Sequence, residues 1–475
     1  MKIKLLLFIV LLFLVSCGTK KIAVSSLKED LNYLERSILE VHPAPFAEID
    51  SVEYANIFEN IRNSITKPLN EHQFYIKVAP IVAKLNDGHS ETVFPSKTQI
   101  KAFLWGSRIP SFDIQIIEDK VYIYDDFSKK KSSIKGMEIL EINGQKMNTL
   151  LQKMMSFEEG KRMNFRKQRI ERSWEREFFE NMAYSGDFKL KLKDPKTGEI
   201  TKCFVKGISQ VAFYKRRSKS YSPKGRNKYS EKLKPVILDS TPTSSSIRLK
   251  VDSLNSLALI NYYGFLGRID SAAFHETFQY IKRRDIKNLI FDLRFNGGGN
   301  TNYFKELLSY FTKDTIMPFS KGILKLSNQY LDDLQLNKDS VLSVYNAKIG
   351  DAVCFYRGKD DAIAYNNPLR FEGKLFVLCS DLTFSTASSF SATLKDYGIG
   401  TLVGSGPGGL GNSFGDPLPI QLPNSRLLVR ISTKKLFRPQ LKNGDHIQPD
   451  IIIKPTYESV FGNSTPILDM IYNKL

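Results

Sequence analysis

The pattern of apolar and polar positions predicts helices in the first part of the chain. Apolar residues at positions 27, 31, 34, 38 and 39 recur at helical spacing, and residues 54–65 and 71–85 continue this periodicity. The last of these segments runs into a polar loop at residues 86–89. The sequence therefore predicts an N-terminal helical domain over residues 23–100.

The middle of the chain shows the period of two that is typical of strands. Apolar and polar residues alternate over 112–117 and 121–125, and residues 136–144 predict a strand that ends in the turn Asn143-Gly144. We expect a β-rich middle domain over residues 103–207, with helices at 148–155 and within 160–182. Residues 208–254 are rich in Lys, Ser, Pro and Asn, so we expect a basic linker or exposed excursion there.

Strands and helices alternate in the last part of the chain. Apolar runs predict strands at 257–262, 288–292, 375–378 and 401–404, with amphipathic helices between them. Repeated strand–turn–helix units in this order are typical of an α/β core with some parallel strand pairing. The sequence therefore predicts one α/β core over residues 255–475.

The first residues are typical of a secretory signal. Lys2 and Lys4 precede an apolar run at 5–15 that is too short to span a bilayer comfortably. Residues 14–17, ending in Cys17, resemble a lipobox, which implies lipid attachment at Cys17. We expect residues 1–17 to be a lipoprotein signal peptide and the mature chain to be membrane-anchored in the cell envelope, facing the periplasm or exterior. An ordinary signal peptide or an uncleaved anchor is the alternative.

Charge and cysteine content narrow the classes of partner. The net charge is +19, but no nucleic-acid-binding signature accompanies it, and a solvated basic surface is the preferred interpretation. The spacing of Cys203, Cys354 and Cys379 fits neither a disulfide framework nor a zinc site. The sequence predicts no metal, no organic cofactor and no nucleic-acid partner.

Two segments carry candidate chemistry. In residues 289–300 an apolar strand is followed by Gly297, Gly298 and Gly299, whose backbone N–H groups are able to hold an oxyanion. In residues 378–390 a strand and a short loop lead to Ser385, where the next helix begins. A hydroxyl there is able to attack a carbonyl once a base removes its proton, and the helix start favours negative charge. Taken singly, the first segment is better explained as a glycine turn and the second as a helix with a capping serine.

Together these segments resemble the tail-specific, or C-terminal-processing, serine peptidases of family S41. The matching stretches are 292–299 (Asp-Leu-Arg-Phe-Asn-Gly-Gly-Gly) and 383–388 (Thr-Phe-Ser-Thr-Ala-Ser), with looser matches at 404–409 and 449–451. Asp87-Gly88-His89 is similar to a motif of the tricorn-like lipoprotein branch. Residues 136–144 resemble part of a PDZ-like module.

The resemblance implies a crotonase-like (ClpP-like) core, with an N-terminal helical region and a PDZ-like middle domain. It places the nucleophile at Ser385 and the oxyanion hole at Gly297, Gly298, Gly299 and Thr386. It also implies that the substrate is a peptide or protein.

The resemblance leaves a choice of base. One branch of the family uses a lysine where this chain has Leu410, so a Ser-Lys pair is excluded in that alignment. His89 is the expected general base, because an imidazole near its free pKa suits this role. Asp445 is the candidate orienting acid, with His446 as a competing base. Asp87 is expected either to act as an acid or to cap its own loop.

The chain departs from the family pattern at Ser388 and Ser405, where glutamates are usual. We expect a serine-type endopeptidase that hydrolyses extracytoplasmic proteins or peptides by a Ser-His mechanism. A catalytically inactive peptidase-like lipoprotein that binds peptides or lipids, and a scaffold lipoprotein without pocket chemistry, are the alternatives.

Overall fold

The computed structural model describes residues 20–128, 133–220, 232–236, 246–356, 366–462 and 464–475. The predicted signal segment, with Cys17, lies outside these residues. No helix in the described ranges is long and apolar enough to cross a membrane.

The first region contains the helices that the periodicity predicts. Asp50 caps the second helix by accepting hydrogen bonds from the N–H groups of Val52 and Glu53, and Asn70 forms a capping box with Gln73 at the third. A short strand and a fourth helix follow. The elements are α1 (Val24–Val41), α2 (Ser51–Ser64), α3 (Glu71–Ala83), β1 (Glu91–Thr92) and α4 (Ser96–Leu104).

The middle region is an antiparallel sheet covered by two helices. The strand order is β3-β4-β5-β7-β8, with β6 paired to β5. Trp174 and Phe178 of α6 are buried against this sheet. The elements are β2 (Arg108–Ile109), β3 (Phe112–Ile117), β4 (Lys120–Asp126), β5 (Glu138–Ile142), β6 (Gln145–Lys146), α5 (Met147–Met155), α6 (Met163–Glu180), β7 (Phe188–Lys193), β8 (Ile200–Val205), β9 (Ile208–Ser209) and α7 (Gln210–Ser220).

The structure differs from the linker expected at 208–254 in the parts that it describes. Residues 210–220 form α7, which buries Phe213 against Phe127 and Ile109. Farther on, β10 (Lys234–Val236) and β11 (Ile247–Asp252) are antiparallel strands of the C-terminal sheet. The sequence did not predict α7 because lysines and arginines dominate it, and Phe213 is its one buried aromatic side chain. Residues 221–231 and 237–245 lie outside the described part.

A seven-stranded sheet forms the C-terminal core. Its order is β10-β11-β12-β13-β16-β17-β20, and the strands from β12 to β20 are parallel, as the alternation of strands and helices predicts. The elements of this region after β11 are β12 (Leu257–Tyr262), α8 (Arg268–Arg283), β13 (Asn288–Asp292), α9 (Phe304–Ser309), β14 (Lys321–Lys325), α10 (Asn328–Asp333), α11 (Lys338–Tyr345), β15 (Ala352–Tyr356), β16 (Lys374–Cys379), α12 (Thr386–Asp396), β17 (Thr401–Gly404), β18 (Ser413–Gln421), β19 (Leu428–Phe437), β20 (Ile451–Ile452), α13 (Tyr457–Phe461) and α14 (Pro466–Tyr472).

A second sheet joins the N-terminal helices to the C-terminal region. It has the order β1-β19-β14-β15, with β18 on β19, and its apolar face shares one core with α1, α2 and α3. The buried carboxylate of Asp30 on α1 accepts hydrogen bonds from the backbone N–H groups of Asn424 and Ser425, at 2.8 and 2.7 Å. Helices α1, α2 and α3 are therefore packed onto the C-terminal region.

Candidate active site

Ser385 lies between the end of β16 and the start of α12. Its backbone has φ 52° and ψ −127°, a left-handed conformation that non-glycine residues rarely adopt. The preceding loop is tied to the loop after β13, because Thr383 Oγ1 donates a hydrogen bond to the Leu293 carbonyl at 2.8 Å. The Ser385 hydroxyl makes no capping hydrogen bond to its helix. A capping role therefore does not explain this serine.

The structure brings His89 to Ser385. His89 Nε2 lies 3.0 Å from Ser385 Oγ, although 296 positions separate the two residues. This distance is within the range in which a base takes a hydroxyl proton. The imidazole is supplied by the loop that follows α3, and the hydroxyl by the C-terminal core.

Asp87 holds the backbone of the histidine loop. Its buried carboxylate accepts hydrogen bonds from the N–H groups of His89 and Ser90 at 2.7 and 2.6 Å, and from Ser90 Oγ at 2.6 Å. Asp87 therefore caps its own loop, which was one of the two roles that we expected for it from the sequence. Ser90 Oγ also accepts from the N–H of Ser432 on β19, at 3.0 Å, which fixes the loop to the second sheet.

His42 completes the support of this loop. Its Nδ1 accepts a hydrogen bond from the Ala44 N–H at 3.1 Å, so the ring proton is on Nε2 and is donated to Asp87 at 2.8 Å. Burial would raise the pKa of Asp87, but its interaction with His42 and the hydrogen bonds from Ser90 outweigh this effect and lower the pKa. Asp87 is thus a buried carboxylate that stays ionised.

Burial sets the protonation state of His89. Removal from water disfavours the imidazolium form and lowers the pKa of His89 below its usual 6.5, although the nearby charge of Asp87 acts in the opposite direction. A neutral imidazole with Nε2 beside a hydroxyl is the state that a general base requires.

Two of the four predicted oxyanion donors face the cavity of Ser385. Gly299 and Thr386 line it, and among the described residues no acceptor is hydrogen bonded to either backbone N–H. The N–H of Gly298 is donated to Asn296 Oδ1 at 2.9 Å, and Gly297 lines a different cavity. The structure therefore favours Thr386 and Gly299 as donors, because Gly298 is already engaged and Gly297 lies on another surface.

Asp445 is near the pair but is not hydrogen bonded to it. Its carboxylate accepts from Asn412 Nδ2 at 2.5 Å. Asp445, His89 and Ser385 all line one small cavity of about 60 Å³. The buried Nδ1 of His89 has no hydrogen-bond partner among the described residues. His446 lines neither this cavity nor the larger one beside Ser385.

The two serines that replace the usual glutamates are both hydrogen bonded. Ser388 Oγ donates to the Thr383 carbonyl at 2.8 Å, and Ser405 Oγ donates to Asp381 Oδ2 at 2.8 Å. A Cβ atom on Gly409 would stand 2.5 Å from Ser388 Oγ, so only a glycine fits at position 409 beside this serine.

A cavity of about 790 Å³ opens beside the pair. Its volume is typical of ligand sites. The wall combines aromatic side chains with polar and charged ones, including Phe319, Phe355, Tyr356, Asp416 and Lys434. No cluster of three or more potential metal-ligating side chains occurs in the described ranges.

Comparisons with known proteins show which family and which solved structures this chain is similar to. Residues 256–453 match the model of Peptidase family S41. The solved structure of mature CPAF matches with a TM-score of 0.64 and 16% identity, over 93% of this chain and 94% of that chain. Mature CPAF complexed with lactacystin gives a TM-score of 0.66 and 16% identity, over 94% and 97%. No curated protein sequence matches the chain.

The match of residues 256–453 to the model of Peptidase family S41 confirms the resemblance that the motifs indicated. Peptidases of this family are serine hydrolases. The likeness to CPAF, at low sequence identity, shows a shared mixed α/β fold over nearly the whole chain.

Sequence reasoning missed several residues that support the site. His42 is one of them, and its ring donates the hydrogen bond to Asp87. Asn296, which belongs to the matching motif, is fully buried and donates from Nδ2 to the Tyr262 carbonyl at 3.1 Å. Its place in the motif was a usable signal, whereas the partner of His42 depends on the tertiary fold.

Proposed function

We propose that this protein is a serine-type endopeptidase with Ser385 as nucleophile and His89 as general base. The observation that carries the proposal is the 3.0 Å separation of His89 Nε2 and Ser385 Oγ, inside a chain whose residues 256–453 match the S41 model. The lowered pKa of His89 supports it, because the imidazole is then neutral at neutral pH.

The chemistry follows from these positions. His89 Nε2 takes the proton of Ser385 Oγ while that oxygen bonds to the scissile carbonyl carbon. The carbonyl oxygen becomes an oxyanion and accepts hydrogen bonds from the N–H groups of Thr386 and Gly299. The imidazolium gives its proton to the leaving amine as the C–N bond breaks. Water, deprotonated by His89, then hydrolyses the acyl-enzyme and regenerates the hydroxyl.

We keep Asp445 as the proposed orienting acid. A carboxylate that shares the cavity of His89 is able to stabilise the imidazolium that forms during acylation. Its role predicts a partial loss of kcat in Asp445→Asn. Asn412→Ala, which removes the hydrogen bond that now engages Asp445, tests whether that carboxylate has to be held in place.

The remaining parts of the proposal concern architecture and setting. The strand–helix repeats of the C-terminal sheet support a crotonase-like core, and the antiparallel middle sheet supports a PDZ-like module that pairs with an extended substrate end. The lipobox supports a lipid anchor at Cys17. We propose that the substrates are extracytoplasmic proteins or peptides bound in the large cavity beside Ser385.

The inactive-relative alternative is less well supported. It was motivated by Ser388 and Ser405, but both hydroxyls are hydrogen bonded within the local structure. An inactive protein that only binds peptides would also not require His89 in hydrogen-bond contact with Ser385.

A fluorophosphonate probe and a peptide substrate panel test the proposal. Ser385→Ala should abolish probe labelling and hydrolysis, and His89→Ala should reduce kcat by at least about 10²-fold. Ser391→Ala is the matched control, because this serine lies on the same helix and its hydroxyl bonds to the Ala387 carbonyl at 2.9 Å. Equal labelling of wild type and Ser385→Ala, or no hydrolysis of any substrate by wild type, would refute the proposal.

A further inference from the structure

Four groups from three parts of the chain are layered behind the nucleophile. The His89 imidazole lies 4.7 Å from the Phe384 ring, and Phe384 stacks on Phe165 at 4.5 Å with 14° between the planes. The guanidinium of Arg169 lies over the Phe165 ring, at 5.6 Å from its centroid. The contacts therefore connect the imidazole to Phe384, Phe384 to Phe165, and Phe165 to the guanidinium. We refer to these four groups as the aromatic stack.

The aromatic stack connects the middle region to the active site. Phe165 and Arg169 are one helical turn apart on α6, so both side chains project from the same face. Phe384 immediately precedes Ser385 in the chain. Arg169 is held by Glu158 and Glu159, at 2.5 and 2.6 Å, which fixes the outer end of the stack. Neither Phe165 nor Arg169 contributes an atom to the reaction proposed above.

Glycines make the space that the two rings occupy. A Cβ atom on Gly88 would stand 2.8 Å from Phe384, and one on Gly160 would stand 2.7 Å from Phe165. A Cβ atom on Gly408 would stand 2.6 Å from Phe165, and one on Gly409 would stand 3.3 Å from Phe384. Three separate loops therefore lack side chains where they meet this pair of rings.

The position of these glycines indicates what the stack does. Gly88 directly precedes His89, and Gly408 and Gly409 belong to the segment that matches the family pattern only loosely. Phe384 lies against the imidazole and is itself stacked on Phe165, so this side of the His89 ring is bounded by a packed surface that restricts its orientation. Asp87 fixes the backbone of His89. The Phe384 ring, in contrast, contacts the imidazole and limits how its plane is able to rotate.

We propose that Phe165 is a positioning residue that, through Phe384, holds the plane of the His89 imidazole against Ser385. Helix α6 thereby sets the geometry of a catalytic pair to which it contributes no reacting atom. This inference rests on the proposed function, because it assigns Phe165 an effect on His89 acting as the base.

Substitution of Phe165 by leucine tests the inference. Leucine keeps the site apolar but removes the flat face, so the imidazole is less well oriented and kcat should fall by on the order of tenfold to a hundredfold. KM should stay within about twofold of wild type, because Phe165 does not line the cavity of about 790 Å³ in which we propose that substrate binds. The matched control is Phe178→Leu, an equally buried phenylalanine on the same helix that packs into the core of the middle region.

A pair of glycine variants provides a second test that leaves Phe165 in place. Gly160→Ala and Gly106→Ala both put alanine at a positive φ in the middle region, at 100° and 76°. An added Cβ meets the Phe165 ring only at Gly160, and at Gly106 it meets nothing within 4 Å. Gly160→Ala should therefore lower kcat at nearly constant KM, while Gly106→Ala should leave kcat unchanged.

The outcomes separate the two proposals. If wild type shows no Ser385-dependent hydrolysis, the proposed function fails. If wild type hydrolyses peptides, and Phe165→Leu and Gly160→Ala match the kcat of their controls at comparable Tm, the positioning role of Phe165 fails. If Phe165→Leu does not fold, the Gly160→Ala and Gly106→Ala pair decides alone. A selective loss of kcat in the stack variants supports the inference.

Discussion

At the scale of single residues, Ser385 is held in a strained backbone conformation by its neighbours. Its φ of 52° costs on the order of 1–3 kcal/mol and persists only where the surroundings impose it. Gly298 is one such neighbour, since a Cβ atom there would stand 2.7 Å from the Ser385 Cβ and 2.8 Å from the Thr386 nitrogen. The glycine run therefore shapes the nucleophile as well as the oxyanion site.

Gly298→Ala should inactivate the enzyme. The added methyl group would displace Ser385 and the N–H of Thr386, so we expect kcat to fall by 10²-fold or more, on the order of the loss of an oxyanion donor. Gly297→Ala is the matched control, because a Cβ atom there meets nothing within 4 Å. Steady-state kinetics of both variants provide the measurement. Similar kcat values in the two would contradict the role given to Gly298.

The pH profile reports on His89. The neutral imidazole is the active form and burial lowers its pKa, so activity should be lost only as pH falls through a value below 6.5. We expect the acidic limb of kcat/KM to have its midpoint below that of a solvent-exposed histidine. A midpoint at or above 6.5 would show that a different environment, or a different base, governs the reaction.

At the scale of elements, α1 is fixed to the turn between β18 and β19 by Asp30. Asp30→Ala would leave the N–H groups of Asn424 and Ser425 without their acceptor, which should cost on the order of 2–4 kcal/mol. Urea denaturation provides the measurement. The control is Glu29→Ala, because Glu29 is exposed and bonds only to the Asn424 side chain. Its change in unfolding free energy should stay within about 0.5 kcal/mol.

Most elements of the fold could be predicted from the sequence because the spacing of their apolar residues differs between helices and strands. Helices with an apolar face, such as α1 and α6, and the apolar parallel strands β13 and β16 have periods that are visible locally. Helix α7 was missed because its sequence is dominated by charge, and Phe213 is its only buried apolar anchor. One apolar position cannot establish a period.

The candidate site was predictable only in part. Ser385 and His89 could be paired because each lies in a segment that resembles a family motif. The supporting contacts depend on packing between distant segments: His42 with Asp87, Phe165 with Phe384, and Gly298 with Ser385. No local pattern shows that Gly297 and Gly299 face different cavities, because this depends on how the loop folds.

At the scale of the whole molecule, the active site lies where separately encoded regions meet. The core that includes α1, α2 and α3 also contains Val429 and Ile431 of β19, and the loop bearing His89 is hydrogen bonded to the same strand. The N-terminal region therefore does not form a core separate from that of the C-terminal region. Its unfolding would remove the base from the nucleophile.

This shared core predicts coupled loss of structure and activity. In a urea titration, fluorophosphonate labelling of Ser385 and the far-UV circular dichroism signal should decline at the same urea concentration. Ile431→Ala, in the core between the regions, should shift both transitions to lower urea by an amount that corresponds to about 2–5 kcal/mol. Loss of labelling well before loss of ellipticity would indicate that the N-terminal region separates first.

The separation of 296 positions between imidazole and hydroxyl also has a consequence for biosynthesis. A ribosome delivers the histidine long before the serine, and the strand that fixes the histidine loop is made later still. A nascent or prematurely terminated chain therefore contains no assembled catalytic pair. The imidazole and the hydroxyl come together only when nearly the whole polypeptide has been made and folded.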